Sequence, residues 1–127
     1  MSKLRIESYI PIAIDVLNEK YPNGVISSAY NGYISSFGAS IVQSGLKPTL
    51  ALFENENNKD KTKQDKSELT KIILKILDKN YNDSSLLTYV LKSPNEEAIN
   101  KQKIMDIATA IKFGIRTFSL EKDKKDE

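Results

Sequence analysis

The sequence predicts an all-α protein, a compact single-domain bundle of about six helices. Apolar residues recur at steps of three and four along most of the chain, the mark of helices with one buried stripe. No run alternates long enough to compete as a strand; Val25–Ser28 and Thr88–Leu91 are short and ambiguous. Proline, glycine and capping serine sit between the stripes, where helices stop and start. A chain of 127 residues buries roughly two thirds of its unfolded surface, enough for a core without disulfides or metal.

The first stripe is Ile6, Ile10, Ala13, Leu17 and Tyr21. Pro11 falls on its opposite side, where it either kinks the helix or marks a late start of its regular part. Tyr21-Pro22-Asn23-Gly24 ends it, because a residue before proline avoids the helical region and Asn-Gly favours a turn. A second stripe, Ile26, Tyr30, Tyr33, Ile34, Phe37 and Ile41, runs to Gly45, expected to stop the helix in a left-handed conformation. A short third helix is expected from about Pro48 to Phe53, the proline being tolerated in its first turn. Gly38, Gly45 and Leu46 are the positions on which this part of the fold is expected to depend.

Residues 54–66 (ENENNKDKTKQDK) hold no apolar side chain and as many carboxylates as ammonium groups. Burial cannot offset the entropy of ordering such a segment, so a mobile loop is expected, and the tail at 121–127 is expected to be disordered for the same reason. The domain then spans residues 1–120. A fourth helix carries Leu69, Ile72, Ile73, Ile76 and Leu77 and is expected to end near Asn80. Ser84 is placed as the cap of a fifth, with Leu86, Leu87, Val90 and Leu91. Ser93-Pro94-Asn95-Glu96 combines a capping serine, a proline at the first helical position and a glutamate three residues on. The helix it opens has the stripe Ile104, Ile107, Ala108, Ile111, Ile115 and Phe118.

The chain has no cysteine and no histidine. Thiolate and histidine metal sites, disulfides and Cys or Ser–His nucleophilic machinery are therefore excluded. No metal or other cofactor is expected. The absence of cysteine suits a reducing cytoplasm, and the charged N-terminus has no signal-peptide pattern. The uncharged run from Tyr21 to Leu46 is broken by proline, glycine and asparagine and is not expected to span a membrane. With 19 basic against 17 acidic residues the net charge is +2, too small to argue nucleic-acid binding by itself. Asp78–Tyr89 begins like a calcium loop but has Asp83 where glycine is required and Tyr89 where a bidentate glutamate belongs. Gly45-Leu46-Lys47-Pro48-Thr49 resembles a phosphate loop only faintly and reads better as a helix–helix corner. No catalytic residue emerges, and no enzymatic activity is expected.

Three other features stand out. Between Tyr21 and Phe53 the only charge is Lys47. The face of the second helix opposite its stripe holds Gly32, Ser35, Ser36, Ala39 and Gln43, a smooth surface that either packs inside the monomer or meets a partner. The last helix is apolar beyond its stripe, with Phe113 opposite Ile104 and Ile111, and Ala110 and Gly114 on a side that permits close approach. Lys71, Lys75 and Lys79 form one basic ridge, and Lys101, Lys112 and Arg116 a second. Either ridge grips phosphates or is simply a solvated face, with Glu68 pairing Lys71.

Gly32 to Phe53, GYISSFGASIVQSGLKPTLALF, resembles the small helical subunit of type III-B CRISPR effector complexes, the Cmr small-subunit family. The shared pattern is an aromatic helix through Ile34, Phe37 and Ile41, a Ser44-Gly45-Leu46 corner, and a short helix ending in Leu52 and Phe53. Many members carry a tryptophan and a basic pair on the last helix; here Phe113, Lys112 and Arg116 occupy that region. The resemblance implies a non-catalytic domain whose copies stack head to tail along the backbone subunits, line the groove holding guide and target RNA, and contact the large subunit in antiviral defence. This agrees with the residues read by themselves: the ridges give Lys112, Arg116, Lys101, Lys71, Lys75 and Lys79 as RNA-binding candidates, and the smooth faces give Ser35, Ser36, Ala39, Gln43 and Phe113 as interface candidates. A helical protein–protein adaptor without nucleic-acid binding is the competing reading.

Overall fold

Helix α1 (Ser2–Lys20) is followed by the short strand β1 (Val25–Ser27), then α2 (Ala29–Ser44), α3 (Leu46–Phe53), α4 (Lys61–Leu77) and α5 (Leu86–Leu91). A 3₁₀ turn (Pro94–Glu96) leads into α6 (Glu97–Ile115), and strand β2 (Ser119–Glu121) closes the order. The structure, a computed structural model, describes residues 2–27, 29–54, 61–78, 85–116 and 119–121. The predicted all-α bundle is the observed fold.

Helix α6 is the central element. It packs along α1, α2 and α4, which is why its apolar residues exceed one stripe. Ile104, Ile107, Ala110, Ile111 and Ile115 are fully enclosed. Gly114 faces Ala13, Ile14 and Leu17 of α1, and a Cβ there would stand 3.4 Å from Leu17 Cδ1. The small side of α6 thus admits α1 closely, as its sequence predicts. Around α6, Phe37 and Phe53 meet edge to face at 5.2 Å, joining α2 to α3, and Leu69, Ile72 and Ile73 close the core from α4.

Several boundaries differ from the sequence reading. Helix α1 runs unbroken through Pro11, whose ring lies on the exposed side. Ile26 is buried, but on β1 and not on α2. Val25–Ser27 pairs in parallel with Ser119–Glu121, Ile26 opposite Leu120, so Glu121, assigned to the tail, belongs to a strand. Helix α3 starts two residues before Pro48, at Leu46. Gly45 has the expected positive φ of 99°, but its ψ of 166° makes it an extended, glycine-only corner and not a left-handed cap. It serves both helices: its N–H donates to the Ile41 carbonyl (2.9 Å), and its own carbonyl accepts from Thr49 (3.3 Å). Leu46 beside it is buried.

The 54–66 loop is shorter than its composition suggests. Helix α4 already begins at Lys61, because lysine and glutamine are good helix formers and extending a helix packed from Ser67 onward costs little. Glu54 is also in place: its carboxylate accepts from Leu86 N–H (2.9 Å) and Leu87 N–H (3.2 Å), capping α5 across 32 residues of chain. Ser85, one residue after the predicted cap, takes the third N–H, from Thr88 at 3.0 Å. At α6 the predicted Ser93 cap makes no side-chain bond; Pro94 opens the 3₁₀ turn, and the α-helix proper starts at Glu97. Residues 55–60, Lys79, Ser84, Phe118 and the tail from 122 lie outside the described residues.

Candidate nucleic-acid and subunit interface

The two basic ridges have different surroundings. On α4, Lys71 and Lys75 face α1 and meet carboxylates there and on their own helix. Lys75 pairs with Glu19 at 3.4 Å, Lys71 with Glu68 at 3.7 Å, and Glu68 also holds Lys20. Burial first, and then the neighbouring Lys71 and Lys75, push the Lys20 ammonium below its usual 10.5. Glu68 beside it opposes that push without cancelling it. Lys20 is the member of this cluster that periodicity along a single helix could not find. Lys79 lies outside the described residues.

On α6, Lys101 and Arg116 are exposed and Lys112 is half-buried. Among the described residues no carboxylate pairs with any of the three. Arg116 lies over the ring of Phe113 at 5.1 Å, a cation–π contact that keeps the guanidinium beside an apolar surface. Phe113 itself is 43% exposed, so the ring is only partly used by the fold.

Beside this ridge runs α2. Gly32, Ser35, Ser36, Ala39 and Gln43 are all open to solvent. The smooth face therefore does not pack inside the monomer, and Val42, 71% exposed, extends it with an apolar side chain. Ser40, on the flank of the helix, is used internally: its hydroxyl lies 2.7 Å from that of buried Thr49. Ser35 and Gly38 of α2 and Met105, Ala108, Thr109 and Lys112 of α6 line one cleft with Ile34 in its wall. The structure thus brings Ser35 and Lys112, assigned separately to an interface and to RNA, onto a single site. Gly38 has no positive φ, and a Cβ there would meet nothing within 4 Å. The fold places no steric demand for glycine at this position, contrary to the structural role read from sequence.

Opposite the cleft, α1 is latched to α6 by Arg5, whose Nε donates to Asp106 at 2.8 Å. The Asp106 side chain is 4% exposed and also accepts from Gln102 at 3.1 Å. Burial, and then the Asp106 charge, push the nearby Tyr9 phenol above its usual 10.0, against the opposing pull of Arg5. Partners 101 residues apart leave no local signal, and sequence reasoning did not find them. At the Gly45 corner, Lys47 pairs with Glu97 at 2.8 Å, and Thr49 is buried. That settles this stretch as a helix–helix corner. No helix among the described residues is long and apolar enough to cross a membrane.

Comparison with curated proteins and with solved structures gave no match. A family model does match: that of the CRISPR-associated protein (Cas_Cmr5), over residues 13–112. The match begins in α1 and ends at Lys112, so it extends well beyond the 22-residue signature around the Gly45 corner. The chain belongs to the Cas_Cmr5 family, the small subunits of type III-B CRISPR-associated Cmr complexes.

Proposed function

We propose that this chain is a non-catalytic structural subunit that stacks along the backbone of the complex and holds RNA through the Lys101, Lys112 and Arg116 side of α6. The observation that carries this is the contrast in charge pairing among the described residues. Cations already facing carboxylates must give up those partners to bind phosphate, whereas Lys112 and Arg116 have none to give up. The uncharged α2 face next to them suits contact with a neighbouring subunit or a further copy, since desolvating it strands no charge. Guide and target RNA are the nucleic-acid partners in this reading, and specificity stays with base pairing because these side chains meet only backbone. Cutting of target then belongs to other subunits.

The test is target-RNA affinity of complexes reconstituted with Lys112→Glu/Arg116→Glu or with Lys71→Glu/Lys75→Glu, across a salt series. Each phosphate contact on a single strand adds about 0.7 to the slope of log affinity against log salt. The α6 variant is expected to bind more weakly and to lose about 1.4 from the slope, the share of two phosphates, equally for unrelated targets. The α4 variant is expected to lose less. If neither changes affinity or slope, the subunit is a spacer and the competing adaptor reading stands.

A further inference from the structure

We infer that the cleft between α2 and α6 seats one unpaired base of the RNA strand whose phosphates follow the α6 ridge. This rests on the RNA-contact reading above and adds a site to it. Glycine in the middle of a helix is destabilising relative to alanine, because it loses more backbone entropy on folding. Gly38 stands there with an ordinary backbone and empty space where its Cβ would be, so what it provides is room. The room is a cleft of about 180 Å³ lined by the apolar Ile34, Met105 and Ala108, the hydroxyl-bearing Ser35 and Thr109, and Lys112.

Those features match the parts of a nucleotide. A flat heterocycle gains by burying its face against apolar side chains, and its edge needs hydrogen-bond partners. Ser35 is exposed, and Thr109 donates to the Met105 carbonyl at 3.0 Å, which leaves its oxygen free to accept. The attached phosphate needs a cation. Lys112 supplies one, and Arg116 over Phe113 supplies a second one turn further on. Among the described residues, no carboxylate lines the cleft. This one-signed charge favours a phosphate-bearing strand over a protein helix, whose surface mixes both signs.

The experiment uses single-stranded RNA carrying 2-aminopurine, whose fluorescence reports a change in stacking, and the same strand with an abasic site at that position. Gly38→Leu fills the cleft, and Ser35→Leu blocks it from an exposed position that spares the core; circular dichroism melts confirm that both fold. For the unmodified chain, the intact strand is expected to bind roughly threefold to tenfold more tightly than the abasic one, the scale of burying one base face on aliphatic surface. Both leucine variants are expected to lose that difference and the fluorescence change while keeping the salt slope. If both keep them, the base is seated elsewhere and the inference fails, while the RNA reading survives if Lys112→Glu/Arg116→Glu still weakens binding. If the leucine variants bind RNA normally but no longer enter the complex, the cleft is a protein contact and the inference is likewise overturned.

Discussion

The α1–α4 seam and the α2–α6 face are both rich in residues that a binding site would use, yet the fold treats them in opposite ways. At the seam, Lys20, Lys71 and Lys75 are matched with Glu19 and Glu68. On the α2–α6 face, Lys112 and Arg116 have no carboxylate partner among the described residues, small residues meet open space, and an aromatic ring is left partly bare. Basic residues at helical spacing look alike in sequence in both places. What separates them is where carboxylates lie: Glu68 on α4 itself and Glu19 on α1 meet the α4 lysines, whereas α2 brings only uncharged side chains to α6. Spacing along one helix identifies a ridge and a local partner such as Glu68 for Lys71, but a partner on another segment, as Glu19 is for Lys75, is set by tertiary packing.

The largest expected effect contrasts two glycines, one used by the fold and one left over. Gly45→Val forces a β-branched residue into φ 99°, ψ 166°, a conformation that costs about 1–3 kcal/mol outside glycine. Gly38→Ala removes helix-interior glycine where nothing obstructs a Cβ and is expected to gain up to about 1 kcal/mol. Urea unfolding of the two variants checks both signs. A stable Gly45→Val would remove the corner's claim to be structural, and a destabilised Gly38→Ala would mean that the cleft is not open.

Next in size is the stability side of the lysine comparison. Reversing Lys71 and Lys75 to glutamate turns two attractions into repulsions against Glu68 and Glu19. Exposed pairs are each worth about 0.2–1 kcal/mol, so a loss of about 1 kcal/mol is expected, shrinking in high salt. Lys112→Gln breaks no ion pair among the described residues and leaves the Arg116–Phe113 contact in place, so it is expected to change stability by less than about 0.5 kcal/mol. Melting curves at low and high salt separate the two. Equal losses would show that the fold depends on the α6 ridge as much as on the α4 ridge.

These contrasts also mark how far the sequence was legible. The stripes of α2, α4 and α6 follow directly from burial on one side, and the resemblance around Gly45 located the family. Helix ends were harder. Ser84 and Ser85 are equivalent as letters, and only the chain's path makes Ser85 the cap. Glu54 looked like loop because its partners, the N–H groups of Leu86 and Leu87, belong to a helix far along the chain. The β1–β2 pair was unreadable for the same reason: three-residue strands carry no periodicity, and their pairing joins Val25 to Ser119. Of the site, both ridges and the smooth face were visible. Their convergence on one cleft, and the neutralisation of the other ridge, required the packing of α6 between α1 and α2.

The finest probe of the seam is pH. The folded Lys20 ammonium titrates below the unfolded value of 10.5, through burial first and then Lys71 and Lys75. Between the folded and unfolded pKa the unfolded chain holds more protons, so this group makes stability rise with pH across that window and adds nothing further above 10.5. Tyr9 acts in the reverse sense. Its phenol is raised above 10.0 in the fold, so its contribution is intact below pH 10.0 and is lost as pH climbs through the folded value. The two overlap near pH 10, and a Tyr9→Phe background removes the second. In that background, melting temperature is expected to rise relative to a Lys20→Met control as pH approaches 10.5. Adding Lys71→Gln and Lys75→Gln is expected to shrink the rise, because two of its three causes are gone, while leaving the part due to burial. A rise unaffected by those substitutions would mean that the lysines at the seam do not crowd one another, and that Glu19 and Glu68 neutralise them completely.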